Sequence, residues 1–428
     1  MNDENYKQIS EIFSDDFVGK EVFLKGWVYR LRKQKENSFI TLRDGSFDVI
    51  QAVLPTTQKL EELTRESSIN ISGILEKDDR APGGYELKVR DLEIIHSSED
   101  FPIQKDFSTE FLNDVRHLWL RSRKLQSVMK VKSATLKYAR EYFDQINWIE
   151  TNPPILNRSA CEGGSTLFKV EYFDEEAFLS QSGQLYLEAL IYSLEKVWSL
   201  TPSFRAEKSK TPRHLAEYWH LEGEAAWHNL DDILKVEEGL IKNVAYNLSQ
   251  NQHKELELLG RNPKDLSDIK TPFDKIPYGK VIAFLNKQGN FIKFGDDLGT
   301  DDERKLTEGS KQPIFIYGAP MSIKPFYVKI NPDDQNMGLS ADLLAPEGYG
   351  ELTTGGQRED NLDSIVRRIK QEGFDPKDYS WYLDLRKYGS VPHSGFGLGV
   401  ERMIRWVCNL DHIRDAIPFP RTMKRSYP

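Results

Sequence analysis

Ser390-Val-Pro-His-Ser-Gly-Phe-Gly-Leu-Gly-Val-Glu-Arg402, followed by Phe419-Pro-Arg-Thr422, decides the reading of this chain. Three glycines spaced two apart allow the backbone to approach a ligand with no side chain between. The Glu-Arg pair then opens an amphipathic run. Arg402 would stand at a helix start, where main-chain N–H groups and a guanidinium can meet phosphate oxygens together. A glycine-rich string alone is weak evidence, and its weight comes from a second cluster far upstream. That cluster is Phe204-Arg-Ala-Glu-Lys-Ser-Lys-Thr-Pro-Arg-His-Leu-Ala-Glu-Tyr218.

Working outward, the chain has 428 residues, enough for two or three domains. Its 39% hydrophobic and 29% charged residues are a globular balance. No apolar run reaches the roughly 20 residues that span a bilayer, so no membrane partner is expected. The polar start, Met1-Asn-Asp-Glu-Asn, does not read as a signal or transit peptide. Cys161 and Cys408 are too few for a cysteine-rich zinc site and read as unpaired thiols of a reducing cytosol, giving a cytoplasmic expectation. The net charge of −9 argues against a protein that coats nucleic acid non-specifically. It leaves room for local recognition, because Lys20, Lys25, Arg30, Arg32, Lys33, Lys35 and Arg43 cluster near the N-terminus.

From Val22 to Ile95 five short alternating runs with Gly/Asp turns predict a small all-β barrel, an OB-fold at this size. Residues 1–100 are assigned to it and 101–120 to a linker. Trp27 is assigned to packing. Helical periodicity over Arg121–Ile146 stops at Asn152-Pro-Pro. A further helix opens at Ser182-Gly-Gln184, and a long amphipathic one covers Asp231–Lys254. Short strands alternate with loops beyond Pro313. Residues 121–428 form the second domain, with an acidic insertion near 255–310 that carries no derivable role.

The two opening clusters resemble motif 3 and motif 2 of the class II aminoacyl-tRNA synthetases. The wording Arg-Ala-Glu…Arg-His-Leu-Ala-Glu-Tyr resembles the aspartyl/asparaginyl branch, most closely its archaeal-type asparaginyl-tRNA synthetases, over nearly the whole chain. The resemblance implies an α+β catalytic domain, an antiparallel sheet flanked by helices, behind an anticodon-binding barrel. It implies ATP and Mg²⁺ as cofactors and tRNA(Asn) and asparagine as partners. Asn152-Pro-Pro-Ile155 resembles motif 1 and implies a homodimer.

Joining a carboxylate to ATP brings two anions together, and a guanidinium neutralises them without attacking. The resemblance gives that task to Arg205, adenine or magnesium-bound water to Glu207, and the outer phosphates to Arg213 and His214. Leu215 belongs to the ATP site, and Tyr218 offers a flat face to adenine. Two carboxylates suit a hard cation, with Glu351 as principal ligand, Asp342 assisting and Thr354 beside them. Arg402 completes the clamp on the γ-phosphate over a floor that includes Gly399. Arg205, Glu351 and Arg402 are the expected catalytic set.

For the amino acid, Glu162 in Cys161-Glu-Gly-Gly164 is expected on the α-ammonium, joined by Gln184 and Thr354, and Arg358 on the side-chain carbonyl. Two positions speak to asparagine over aspartate. Aspartate enzymes carry Lys where Leu187 stands and Asp where Glu222 stands. Loss of a cation and a longer carboxylate favour a neutral amide and repel a carboxylate. The alternative is an aspartate–tRNA ligase, including one that charges both tRNAs. In the barrel, Arg32, Phe39 and Gln51 match positions that contact anticodon bases, Phe39 by stacking.

Overall fold

The computed structural model describes residues 6–57, 60–104, 107–158, 167–208 and 211–428. The chain divides into two compact units, Met1–Gln126 and Ser127–Pro428.

In the first unit, β1 (Glu21–Lys33), β2 (Asn37–Arg43), β3 (Val49–Pro55), β4 (Ser68–Lys77) and β5 (Tyr85–His96) close a barrel in the order β1-β2-β3-β5-β4. All neighbours are antiparallel except β3 and β5, which pair in parallel. Alternation dictates the inside: Val22, Leu24 and Val28 of β1, Ile40 and Leu42 of β2, and Ile50 and Ala52 of β3 fill one apolar core. By the same alternation Trp27 faces out, 41% exposed, with the Arg43 guanidinium 4.8 Å from its ring. It is not the packing residue expected. The stretch expected as a linker also differs. Ser108 accepts from the Phe111 N–H and starts the helix Thr109–Asp114, which Arg116–Trp119 follows; Asn113 and Arg116 are buried.

The second unit is built on eight strands: β6 (Ile149–Glu150), β7 (Lys196–Phe204), β8 (Glu217–Ala226), β9 (Asp274–Pro277), β10 (Ile314–Tyr317), β11 (Ser340–Ala345), β12 (Gly350–Gln357) and β13 (His393–Gly399). Their order is β9-β10-β11-β12-β13-β8-β7-β6. The six central strands are antiparallel, and each edge strand pairs in parallel with its neighbour. The helices are α1 (Arg123–Gln145), α2 (Gln184–Leu194), α3 (Leu230–Asn251), α4 (Tyr278–Lys287), α5 (Thr300–Thr307) and α6 (Val400–Val407), with shorter ones between. A capping box between Asn229 and Asp232 starts α3. Ile233, Leu240, Ile241, Val244 and Leu248 then recur at helical spacing and bury against the sheet core with Phe315, Leu343 and Phe396. This is the α+β arrangement the resemblance implied.

The stretch read as an insertion near 255–310 is part of this body. It supplies the edge strand β9 and helix α4, whose Tyr278, Val281, Ile282 and Leu285 pack with Ile314 and Ile316 of β10. Among the described residues no helix is long and apolar enough to cross a membrane.

Candidate active site

One face of the sheet carries a cavity of about 970 Å³. Arg205 stands just past the end of β7, and Arg213, His214, Leu215 and Tyr218 lead into β8; all five line the cavity. Arg205 lies with its guanidinium 5.7 Å from the Tyr218 ring. Burial lowers the His214 imidazole below its ordinary pKa, and nearby Arg402 and Arg213 add to this. Glu207, expected at adenine or at magnesium-bound water, is exposed and is not on the cavity wall. It lies beyond the end of β7 at Phe204.

The opposite wall comes from β11, β12 and β13. Asp342 and Thr354 are register partners across β11 and β12, and Glu351 of β12 pairs with Leu344, two residues along β11, past a register shift. Arg402 Nη1 is 2.7 Å from Glu351 Oε1, and Arg213 Nη2 is 3.8 Å from Oε2. Burial alone would raise Glu351, but Arg402, Arg213 and Arg205 outweigh it and hold the carboxyl at about 2. The Thr354 hydroxyl donates to Glu351 Oε1 at 3.2 Å. Lys324 Nζ sits 3.0 Å from Asp342 Oδ2. Burial works against the Lys324 charge, and Asp342, Glu351 and Asp297 more than restore it.

The glycines of the opening motif lie in β13 on the cavity face, and the reason for them is crowding. A Cβ on Gly397 would lie 2.5 Å from His220 Nε2, and one on Gly395 would strike the Glu224 carboxylate. Gly399 caps α6 and puts Arg402 in its first turn, as expected.

At the far end of the cavity Gln184, Leu187, Glu222 and Arg358 meet. Gln184 gives its amide N–H to Glu188 Oε1 at 3.0 Å, which leaves its carbonyl oxygen as the free acceptor. Leu187 is fully buried. Glu222 Oε2 accepts from the Gly183 N–H at 2.8 Å, and Oε1 accepts from the Ser182 hydroxyl. His220 Nδ1 is 3.4 Å from Oε1. A carboxylate has about four lone-pair sites, so Glu222 retains acceptor capacity toward the cavity. Arg358 is forked by Glu224, Nε to Oε1 at 3.0 Å and Nη2 to Oε2 at 2.9 Å. Behind it Glu188 gathers Arg386 at 2.6 Å, Tyr382 at 2.7 Å and His393 at 3.0 Å, all buried. Glu162 and Cys161 lie outside the described residues.

The cavity thus presents a group of guanidiniums around Glu351, the oxygen ligands Asp342 and Thr354 beside it, and a pocket where Leu187 and the Glu222 carboxylate accompany one guanidinium, Arg358. Residues 108–423 match the family model described as tRNA synthetases class II (D, K and N), and residues 22–95 match the OB-fold nucleic acid binding domain. The chain is a class II aminoacyl-tRNA synthetase. The synthetase is 53% identical over 419 residues to the asparagine–tRNA ligase of Thermococcus gammatolerans, covering 96% of this chain and 97% of that one. It is 44% identical over 427 residues to that of Thermoplasma acidophilum, covering 98% and 99%. Its structure is similar to asparaginyl-tRNA synthetase from Pyrococcus horikoshii complexed with asparaginyl-adenylate, with a TM-score of 0.94, 50% identity and 99% of each chain covered. The Entamoeba histolytica asparaginyl-tRNA synthetase, also with asparaginyl-adenylate, gives a TM-score of 0.89 at 36% identity, covering 96% and 97%.

Among the charged residues of the synthetase's cavity that the motifs do not contain are Glu224, Asp297, Glu303 and Lys324. Glu224 had a signal, because it is the register partner of Gly395.

The barrel positions are brought together as well. Arg32 pairs with Phe39 across β1 and β2, its guanidinium 4.6 Å from the ring. Gln51, two residues before the Phe39 partner Val53, shares that outer face and donates to Glu86 at 2.7 Å.

Proposed function

We infer that the chain is an asparagine–tRNA ligase. The carboxylate of asparagine attacks the α-phosphorus of ATP, forming asparaginyl-adenylate and releasing pyrophosphate. A hydroxyl of the 3′-terminal ribose of tRNA(Asn) then takes the asparaginyl group and AMP leaves. The observation that carries this reading is the far end of the cavity, where fully buried Leu187 and the Glu222 carboxylate line the wall together with Arg358.

Each residue then has a physical task. Arg205 neutralises the substrate carboxylate and the α-phosphate together. Arg402 and Arg213 take the outer phosphates, and His214, Leu215, Tyr218 and Gly399 shape the adenosine and phosphate bed. Burial lowers the His214 pKa, so it donates as a neutral imidazole. The Gln184 carbonyl accepts from the α-ammonium, with Glu162 and Thr354 at the same end of the substrate. Arg358, held by Glu224, donates to the side-chain carbonyl, while Glu222 accepts from the side-chain NH₂. An aspartate carboxylate would face the Glu222 charge instead. No covalent protein intermediate is needed, and rate comes from positioning and charge neutralisation.

The donor set of Glu351, Asp342 and the Thr354 hydroxyl is oxygen only, which fits magnesium. Mg²⁺ bound there would offset phosphate charge as pyrophosphate departs. Arg402 and Lys324 ion-pair with these carboxylates.

The outer barrel face with Arg32, Phe39 and Gln51 receives anticodon bases, Phe39 by stacking. The sheet edge supports a homodimer: β6 is an edge strand, and Ile149, Ile155 and Leu156 around the Asn152-Pro-Pro turn are exposed. Pyrophosphate exchange compared with asparagine and aspartate, followed by charging of tRNA(Asn), tests the activity. Equal exchange with both amino acids would overturn the asparagine assignment.

A further inference from the structure

Helix α5 lies in the acidic stretch for which the sequence offered no role, yet one of its side chains reaches the centre of the ATP end. The helix is anchored at its start. Asp302 accepts from the Gly299 N–H at 3.0 Å, and Asn290 donates to Asp302 and accepts from Lys305, each at 2.5 Å. Thr307 ties the other end by donating to the Glu303 carbonyl at 2.8 Å. This leaves Glu303 pointing inward, 6% exposed.

The Glu303 carboxylate does two things with one oxygen. Oε2 is ion-paired to Arg213 Nη1, and the same atom accepts from the Glu351 N–H at 2.7 Å. Between these groups Gly350 takes a positive φ of 76°. A Cβ there would lie 2.5 Å from Glu303 Oε2 and 2.6 Å from Arg213 Nη1, so the glycine is needed for space as well as conformation. Arg213 meanwhile stays 3.8 Å from the Glu351 carboxylate. Glu303 thus offers Arg213 a partner other than the carboxylate that Arg402 already engages.

We propose that Glu303 is a positioning residue for the ATP step, holding the Arg213 guanidinium and the Glu351 main chain apart and aimed at the triphosphate. Without its charge, Arg213 closes on Glu351, and both are lost to the nucleotide and its cation. This rests on the ligase reading above.

Glu303→Gln separates the two contacts, because the amide oxygen still accepts from the Glu351 N–H while the negative charge that faces Arg213 is gone. Exchange kinetics should show KM for ATP raised roughly tenfold in Glu303→Gln and further, toward a hundredfold, in Glu303→Ala. KM for asparagine should stay within about twofold. A merely structural role would lower the melting temperature and the active fraction and leave KM for ATP unchanged. A parental KM for ATP in Glu303→Gln, a lowered one, or equal rises in both KM values would overturn the proposal. Calorimetric binding of ATP with Mg²⁺ keeps it separate from the activity reading. If the parent binds ATP but gives no asparagine-dependent exchange, the ligase reading fails, and the Kd shift in Glu303→Gln still decides the role of Glu303.

Discussion

Replacing Glu222 by Gln changes almost nothing in volume and removes one negative charge from the far end of the cavity. Glu222 is 3% exposed, and its oxygens already accept from the Gly183 N–H at 2.8 Å and from the Ser182 hydroxyl. A substrate carboxylate placed where the asparagine amide binds would stand about 4 Å from this charge. At an effective dielectric constant of about 20 the repulsion is roughly 4 kcal/mol, near a thousandfold in relative affinity. The two donors on Glu222 drain part of that charge, so about 2 kcal/mol, or some thirtyfold, is the lower bound. Glu222→Gln should therefore erode the asparagine-over-aspartate ratio of kcat/KM by roughly thirtyfold to a thousandfold. Its amide NH₂ would also oppose one of the two donors, costing about 1–3 kcal/mol of stability. The assay is pyrophosphate exchange with each amino acid, read as a ratio so that lost active fraction cancels. An unchanged ratio with a raised KM for asparagine would refute the reasoning and make Glu222 a brace for Ser182 and Gly183 only.

Arg402→Ala should lower kcat for exchange by about 10²–10³, the cost of removing one preorganised charge donor, and wild-type exchange would end its phosphate role. Phe39→Ala should raise KM for tRNA by the worth of a stacked base, about 1–3 kcal/mol, and leave exchange without tRNA unaltered; altered exchange would count against the anticodon assignment. Glu237 is buried behind β12 with the Thr353 hydroxyl donating to it, and burial pushes its carboxyl up to about 8 from an ordinary 4.5. Between those values the unfolded chain has released a proton that the folded chain keeps, so stability is lost as pH rises and levels off above about 8. Glu237→Gln should remove that slope and gain roughly 4 kcal/mol over the parent near pH 8; melting curves with parallel slopes would refute it.

Much of the fold was legible because periodicity reports burial. The five barrel runs alternate, and alternation put Val22, Leu24 and Val28 inside. It also put Trp27 outside, where its size and apolar character pointed the other way. Local pattern outweighed residue type there, since a one-residue change of phase exposes the whole inner set of β1. Residues 255–310 carried no derivable role for a different reason. Their apolar residues are few because β9 is an edge strand and α4 covers only a small core, so low hydrophobicity reflected position in the layer.

The arginines of the cavity were readable because motif spacing is local; their partners were not, because pairing across a sheet is not local. Arg402 meets Glu351, Arg213 meets Glu303, and Arg358 meets Glu224, each from a different segment. Such partners are required. A buried guanidinium without a counter-charge is costly, and a loosely held one would reorganise as phosphate charge develops. The glycine string carried a trace of this. Gly395 faces Glu224 across β13 and β8 with no space for a methyl group. What reads in sequence as room for a ligand is, at that position, room for the carboxylate that aims Arg358. Part of the spacing that marks the nucleotide end therefore records the construction of the amino-acid end, which is why both ends lie on one sheet.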